Sequence, residues 1–275
     1  MKKTNLIFAT FLLMLAFAIS SCKKEQVVTE LDNESIDNET VASFVEKSMS
    51  VDEDAASMRG PLGMQAGCNW QNLLSDCATI TESSDSYPKT ITIDYGTGCT
   101  GPNNITKSGI VIIDLSDDML NNGAVRAVTF ENFRINNTQI AGSRITTNVG
   151  EDSEGHPMFS RIVSTTLTRN GNVLSRNANE TVTWLGGFET EECGDNIFSI
   201  TGSGTITRAN GASRTRNIIL PLIVDHTCGY IISGVTEITG PNGTGTMNFG
   251  DGNCDDIAVI TRPNGNVHTV HLHQN

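Results

Sequence analysis

Met158-Phe159-Ser160-Arg161-Ile162-Val163-Ser164-Thr165-Thr166-Leu167-Thr168-Arg169-Asn170-Gly171-Asn172-Val173-Leu174-Ser175 is the stretch whose reading decides the fold. Two β-branched, apolar runs flank one Asn-Gly pair, the dipeptide that most readily takes positive φ at both centres of a type I′ turn. The runs therefore read as adjacent antiparallel strands. The same grammar extends outward: from Ala78 on, nearly every apolar segment is short, β-branched and bounded by Gly, Asn or Pro. Asn-Gly recurs at Asn122-Gly123, Asn210-Gly211, Asn242-Gly243 and Asn264-Gly265. No helical stripe of useful length interrupts the pattern. Strands are expected near 89–95, 108–115, 125–135, 138–147, 158–169, 172–185, 196–208, 212–224, 229–239, 244–249, 256–261 and 266–272. The expected fold is all-β, an antiparallel meander of about twelve strands forming a β-sandwich or flattened barrel.

An internal echo makes residues 67–275 one domain with a pseudo-repeat. Thr92-Ile93-Asp94-Tyr95-Gly96-Thr97-Gly98-Cys99 returns as Thr246-Met247-Asn248-Phe249-Gly250-Asp251-Gly252-Asn253-Cys254, and each copy follows another cysteine, Cys77 or Cys228. In a hairpin the start of one strand lies beside the end of the next, so this spacing brings each pair to disulfide distance. The expected cystines are Cys77–Cys99 and Cys228–Cys254, with Cys68 and Cys193 left as a third pair. Zinc is disfavoured, because the spacings are long and no CxxC pair occurs.

At the other end, Lys2 and Lys3 precede an apolar run from Leu6 to Ile19 and then Ile19-Ser20-Ser21-Cys22. About fourteen apolar residues fall short of the roughly 20 that span a bilayer, so residues 1–21 read as a signal peptide and Cys22 as the lipidated terminus of a bacterial lipoprotein. Lys23 stands where an Asp would resemble an inner-membrane retention signal, which points to the outer membrane, on its periplasmic or cell-surface side. Residues 22–66 read as a flexible acidic tether, with ten carboxylates between Glu25 and Asp54 against the single Lys47. Within it, Val41, Phe44, Val45 and Met49 have helical spacing, read as transient helix. The net charge of −13, with no basic stripe, excludes nucleic acid as a partner.

Motifs of chemistry are sparse. Gly96-Thr97-Gly98-Cys99-Thr100-Gly101 matches the dinucleotide fingerprint, but Pro102 and a strand follow where a helix N-terminus must receive the pyrophosphate, so no cofactor is expected. No GxSxG or HExxH occurs, and Asp225-His226, adjacent on a strand, would point to opposite faces. No catalytic residue is assigned. Weak metal candidates are Asp251, Asp255 and Asp256, dense in oxygen ligands, and the tail pair His271 and His273, with His268 on the opposite face. Weak ligand-binding candidates are the aromatics Tyr87, Trp184, Phe188 and Tyr230.

Tyr87 through Cys99, Val128 through Phe133, Cys228 through Gly234 and Phe249 through Asp256 resemble an uncharacterised family of secreted and lipid-anchored proteins from Bacteroidetes-type bacteria. The resemblance covers most of 77–272 and implies that the turn and cystine pattern is shared architecture; it lends no activity. The expected function is a non-enzymatic binding or envelope-interaction domain, held to the membrane by its N-terminal lipid and facing an unknown glycan or protein. The alternatives are a hydrolase acting on polysaccharide or peptide through cleft carboxylates, and a carrier with an apolar cavity.

Overall fold

The computed structural model describes residues 33–57, 77–101, 104–190, 194–228 and 230–272; the expected lipidation site Cys22, the expected Cys68–Cys193 pair and His273 lie outside them. One helix precedes the strands, α1 (Asn33–Ser57). It is followed by β1 (Thr79–Glu82), β2 (Lys89–Asp94), β3 (Cys99–Thr100), β4 (Thr106–Leu115), β5 (Val125–Ile135), β6 (Thr138–Glu151) and β7 (Pro157–Arg169). The rest are β8 (Asn172–Gly186), β9 (Ile197–Arg208), β10 (Ser213–Asp225), β11 (Ile231–Gly240), β12 (Gly243–Asp251), β13 (Ile257–Thr261) and β14 (Val267–His271). All form a single antiparallel sheet in which each strand pairs with its successor, except that β3 is a short side pairing on β4. The twelve expected strands are present, with the short β1 and β3 added.

The sheet is one open surface with β1 and β14 at its edges, and it attains its sandwich-like form by curling over α1. Lys107 on β4 reaches the Ser48 carbonyl, and Lys47 reaches the Asp225 carbonyl on β10, so strands six steps apart meet consecutive helix residues. Six steps are about 29 Å of flat sheet. Only a tightly curled sheet brings such strands to one helix. Within the sheet, Gly142 and Gly202 take backbone conformations that side chains rarely adopt, with φ of +105° and +127°. A Cβ at Gly142 would fall 2.2 Å from the Ser164 carbonyl oxygen and one at Gly202 2.3 Å from that of Asn179, so no side chain fits either place.

Over Asn33–Ser57 the structure departs from the expected tether. Every residue from Asn38 to Ser50, with Glu53 and Asp54, is buried. Thirteen consecutive residues pass more than three times round a helix, so α1 has no solvent face there. Val41, Phe44, Val45 and Met49 supply the apolar stripe and join the same core as Ile140, Leu167 and Leu174. The turns differ in a smaller way. Only Asn170-Gly171 takes positive φ at both centres; at Asn210-Gly211, Asn242-Gly243 and Asn264-Gly265 glycine alone does.

Both expected cystines are formed, Cys77–Cys99 and Cys228–Cys254, each with Cα atoms 5.6 Å apart. Loops of 22 and 26 positions put the stabilisation from each at about 3 kcal/mol in the chain-entropy treatment.

Candidate functional site

Two regions concentrate polar chemistry: the seam between α1 and the sheet, and the loops at one end of the strands. In the seam, Glu39, Glu46 and Glu53 recur every seven residues and so lie along one side of α1, about 10.5 Å apart. The sheet meets them with arginines set at inward positions of β5, β6, β7, β8 and β10. Arg216 approaches Glu39 at 3.0 Å. Arg176 and Arg161 approach Glu46 at 2.5 and 3.4 Å, and Arg144 and Arg126 approach Glu53 at 2.6 and 3.6 Å. Arg126 also pairs with Asp54 at 2.8 Å, and Glu180 of β8 bridges Arg161 and Arg176 at 2.6 Å each. The arrangement is a ladder of buried ion pairs that tracks the helix diagonally across five strands.

Burial and pairing compete along it. Burial raises the carboxyls of Glu39 and Glu53 above the usual range despite the nearby arginines. Burial lowers Arg144, with Glu53 opposing. At Glu180 burial pushes upward too, but Arg161 and Arg176 overcome it and hold the group far below the carboxylate range. Glu180 is thus an ion-pair partner and not a proton donor.

A cavity beside the ladder has one wall of Glu46, Arg176, Glu180 and Arg216 and another of apolar side chains such as Ile200 and Leu222, with about 30 Å³ open to the centres of water-sized molecules. That admits about two waters and no sugar ring. The two carboxylates that a hydrolase would need do meet here, but each is closed off by arginine. The interior that a carrier would leave apolar and open is filled by α1.

Lys47 carries a measurable signature. Burial lowers its ammonium to about 8, against the pull of Asp54 and Asp225. The unfolded chain keeps that proton up to about 10.4, so between the two values the unfolded state binds more protons and stability rises with pH. Urea unfolding from pH 8 to 10 is expected to show this rise, and Lys47→Met to flatten it while stabilising the protein at pH 7; an unchanged slope in the variant would refute the assignment.

The second region follows from the meander, which alternates its connections between two ends. One end holds the β5–β6, β7–β8, β9–β10, β11–β12 and β13–β14 turns. The other holds the loop residues 83–88, 116–124, 152–156, 187–190 with 194–196, 226–228 with 230, and 252–256, a rim at or beside which the metal and aromatic candidates among the described residues lie. The N-terminal part of α1 lies at the turn end, where Asn38 and Val41 line a cavity with Thr138, Asn170 and Asn172. Its C-terminal part lies at the rim, where Asp54 stands 3.7 Å from His226.

On the rim the aromatics hold loops in place and form no flat platform. Trp184 is buried, stacked on Phe198 at 5.5 Å, and its Nε1–H donates to Asn196 Oδ1 at 3.1 Å. Phe188 meets both Trp184 and His156 in T-shaped contacts. Tyr87 and Tyr230 pack half-buried against the core, Tyr87 beneath the Lys89 ammonium. Burial, with Asp256, raises the Tyr230 hydroxyl.

The metal candidates are occupied locally. Asp251 accepts from the Asn253 amide, Asp255 from the Ile257 N–H, and Asp256 pairs with His271 Nδ1 at 3.0 Å. Among the described residues no three His, Cys, Asp or Glu side chains gather at metal-binding range. The glycines 96–101 lead into strands β3 and β4, and Asp94 accepts from the Gly96 N–H, the chemistry of a turn. His226 turns inward onto Phe198 while Asp225 accepts from Thr227, so these neighbours form no relay.

Comparisons with protein-family models, with curated proteins and with solved structures return no match. The ladder itself was missed by sequence reasoning. Its signal was present: Arg161 sits in phase with Phe159 and Val163, Arg176 with Leu174 and Ala178, and the helix glutamates keep a seven-residue step.

Proposed function

We propose that the chain is a lipid-anchored, non-enzymatic binding domain of a bacterial outer membrane, recognising its ligand with its exterior. The observation that carries this reading is the direction of α1. Its N-terminal part lies among the tight turns, so a chain tied to the membrane at Cys22 leaves the domain at that end. Ten residues, 23–32, separate Cys22 from Asn33 and reach at most about 36 Å. The turn end then sits near the bilayer and the loop rim points away from it. An acylated terminus with more than one chain holds firmly, since each buried methylene contributes about 0.8 kcal/mol.

Membrane fractionation of cells making the full chain or Cys22→Ser tests the anchor. The parent is expected in the outer-membrane fraction with an acyl mass on its first mature residue, and Cys22→Ser in the soluble fraction. A parent of unmodified mass, or a variant that stays in the membrane, overturns the reading.

A further inference from the structure

Over most of their length the four central strands β6 to β9 present no charge outward. Along β6 from Gln139 to Thr147, β7 from Met158 to Thr168, β8 from Val173 to Thr183 and β9 from Ser199 to Thr207, no outward position is Asp, Glu, Lys or Arg. The same strands aim Arg144, Arg161, Arg176 and Glu180 at α1. Outward they carry Ser, Thr, Asn and Gln with a few apolar residues, in register across the sheet: Ser143, Ser164, Asn177, Thr205, Thr215 and Thr239 are successive partners on six strands. Neighbours in such a row stand about 4.8 Å apart and successive rows about 6.8 Å apart. In a protein of net charge −13, this convex wall is a neutral field of hydroxyls and amides.

From this we infer that the outer face of β6–β9 is a docking surface for a neutral polysaccharide, an inference that rests on the proposed binding role and names its ligand class. Each Ser, Thr, Asn and Gln side chain both donates and accepts, as sugar hydroxyls do. Threonine methyls and the outward pair Ile145 and Ile162, which are register partners, supply the apolar contact that the C–H faces of a sugar ring take. Other occupants fit worse. Lipid requires an apolar band that Ser160, Asn177 and Asn179 interrupt. A nucleic acid requires cations, and protein interfaces favour aromatics and arginine over serine. The acidic remainder of the surface repels anionic polymers. Hydrogen bonds exchanged with water yield little singly, so affinity must come from many rows engaging one chain, and a polymer binds where its short oligosaccharides do not.

The test is depletion of the purified full chain from solution by insoluble neutral polysaccharides, cellulose, mannan and a β-1,3-glucan, with pectate as the acidic control. At least one neutral polymer is expected to remove the protein, and its soluble oligosaccharides to compete poorly. The outward-facing triple variant Ser164→Ala/Asn177→Ala/Thr205→Ala is expected to weaken depletion tenfold or more with an unchanged urea midpoint. The rim variant Asp255→Ser/His271→Ser is expected to bind as the parent does. Depletion by none of the neutral polymers, depletion by pectate alone, or undiminished binding in the triple variant overturns the inference. Loss in the rim variant alone overturns it too, yet leaves the proposed binding role standing; that role falls if envelope extract also yields no ligand.

Discussion

Glu53→Ala is expected to lower the unfolding free energy by about 3–5 kcal/mol, read as a fall in the urea midpoint at pH 7 with an unchanged slope. Glu53 and Arg144 are both fully buried and meet at 2.6 Å, so removing the carboxylate strands a guanidinium away from water. Arg126 suffers less, because Asp54 still holds it at 2.8 Å. The raised Glu53 and lowered Arg144 show that both ions are held in an environment that resists charge. The double substitution Glu53→Met/Arg144→Met should therefore recover most of the loss, since an apolar pair needs no desolvation of ions. A single variant within about 1 kcal/mol of the parent would mean that the ladder is incidental to stability.

Deleting Asn33–Ser57 is expected to abolish cooperative unfolding altogether. Without α1, Arg126, Arg144, Arg161, Arg176 and Arg216 would line the hollow of the sheet with Glu180 as the one buried carboxylate among the described residues left to face them. The apolar stripe of Val41, Phe44, Val45 and Met49 would leave the core as well. The truncated chain should lose its near-ultraviolet dichroism, and a synthetic peptide spanning residues 33–57 should restore the signal in proportion to its occupancy. A truncated chain that unfolds with the parent's midpoint and slope would show that the sheet closes without its helix.

The strands were legible because their boundaries are written locally. A β-branched run such as Ile110-Val111-Ile112-Ile113 between turn residues needs no distant partner to be recognised. The two cystines were legible for a related reason, since the echoed motifs sit at matching places in two hairpins. Helix α1 was not, because its stability lies elsewhere in the chain. Alone, residues 33–57 are acidic and poor in apolar side chains; their partners Arg126 to Arg216 stand 70 to 180 positions away and announce themselves only by falling in phase with inward residues. Trp184 shows the same limit. As an aromatic beside Leu185-Gly186-Gly187 it offered both a ligand contact and a core plug at a strand end, and its parity with Leu174, Ala178 and Val182 puts it inside.

The ladder also measures the winding of the sheet. A one-residue slip of β7 against its neighbours would turn Arg161 to solvent and bring Ser160 or Ile162 to the helix, so that Glu46 and Glu180 would each lose one guanidinium and keep only Arg176 at close range. A two-residue slip would keep the facing but carry the guanidinium about 6.8 Å along the axis, out of reach. With its glutamates at fixed intervals, α1 is a calibrated rod against which each successive hairpin is checked. It is also the first of these elements to be synthesised, so every ribbon emerges with its counterpart already in the chain.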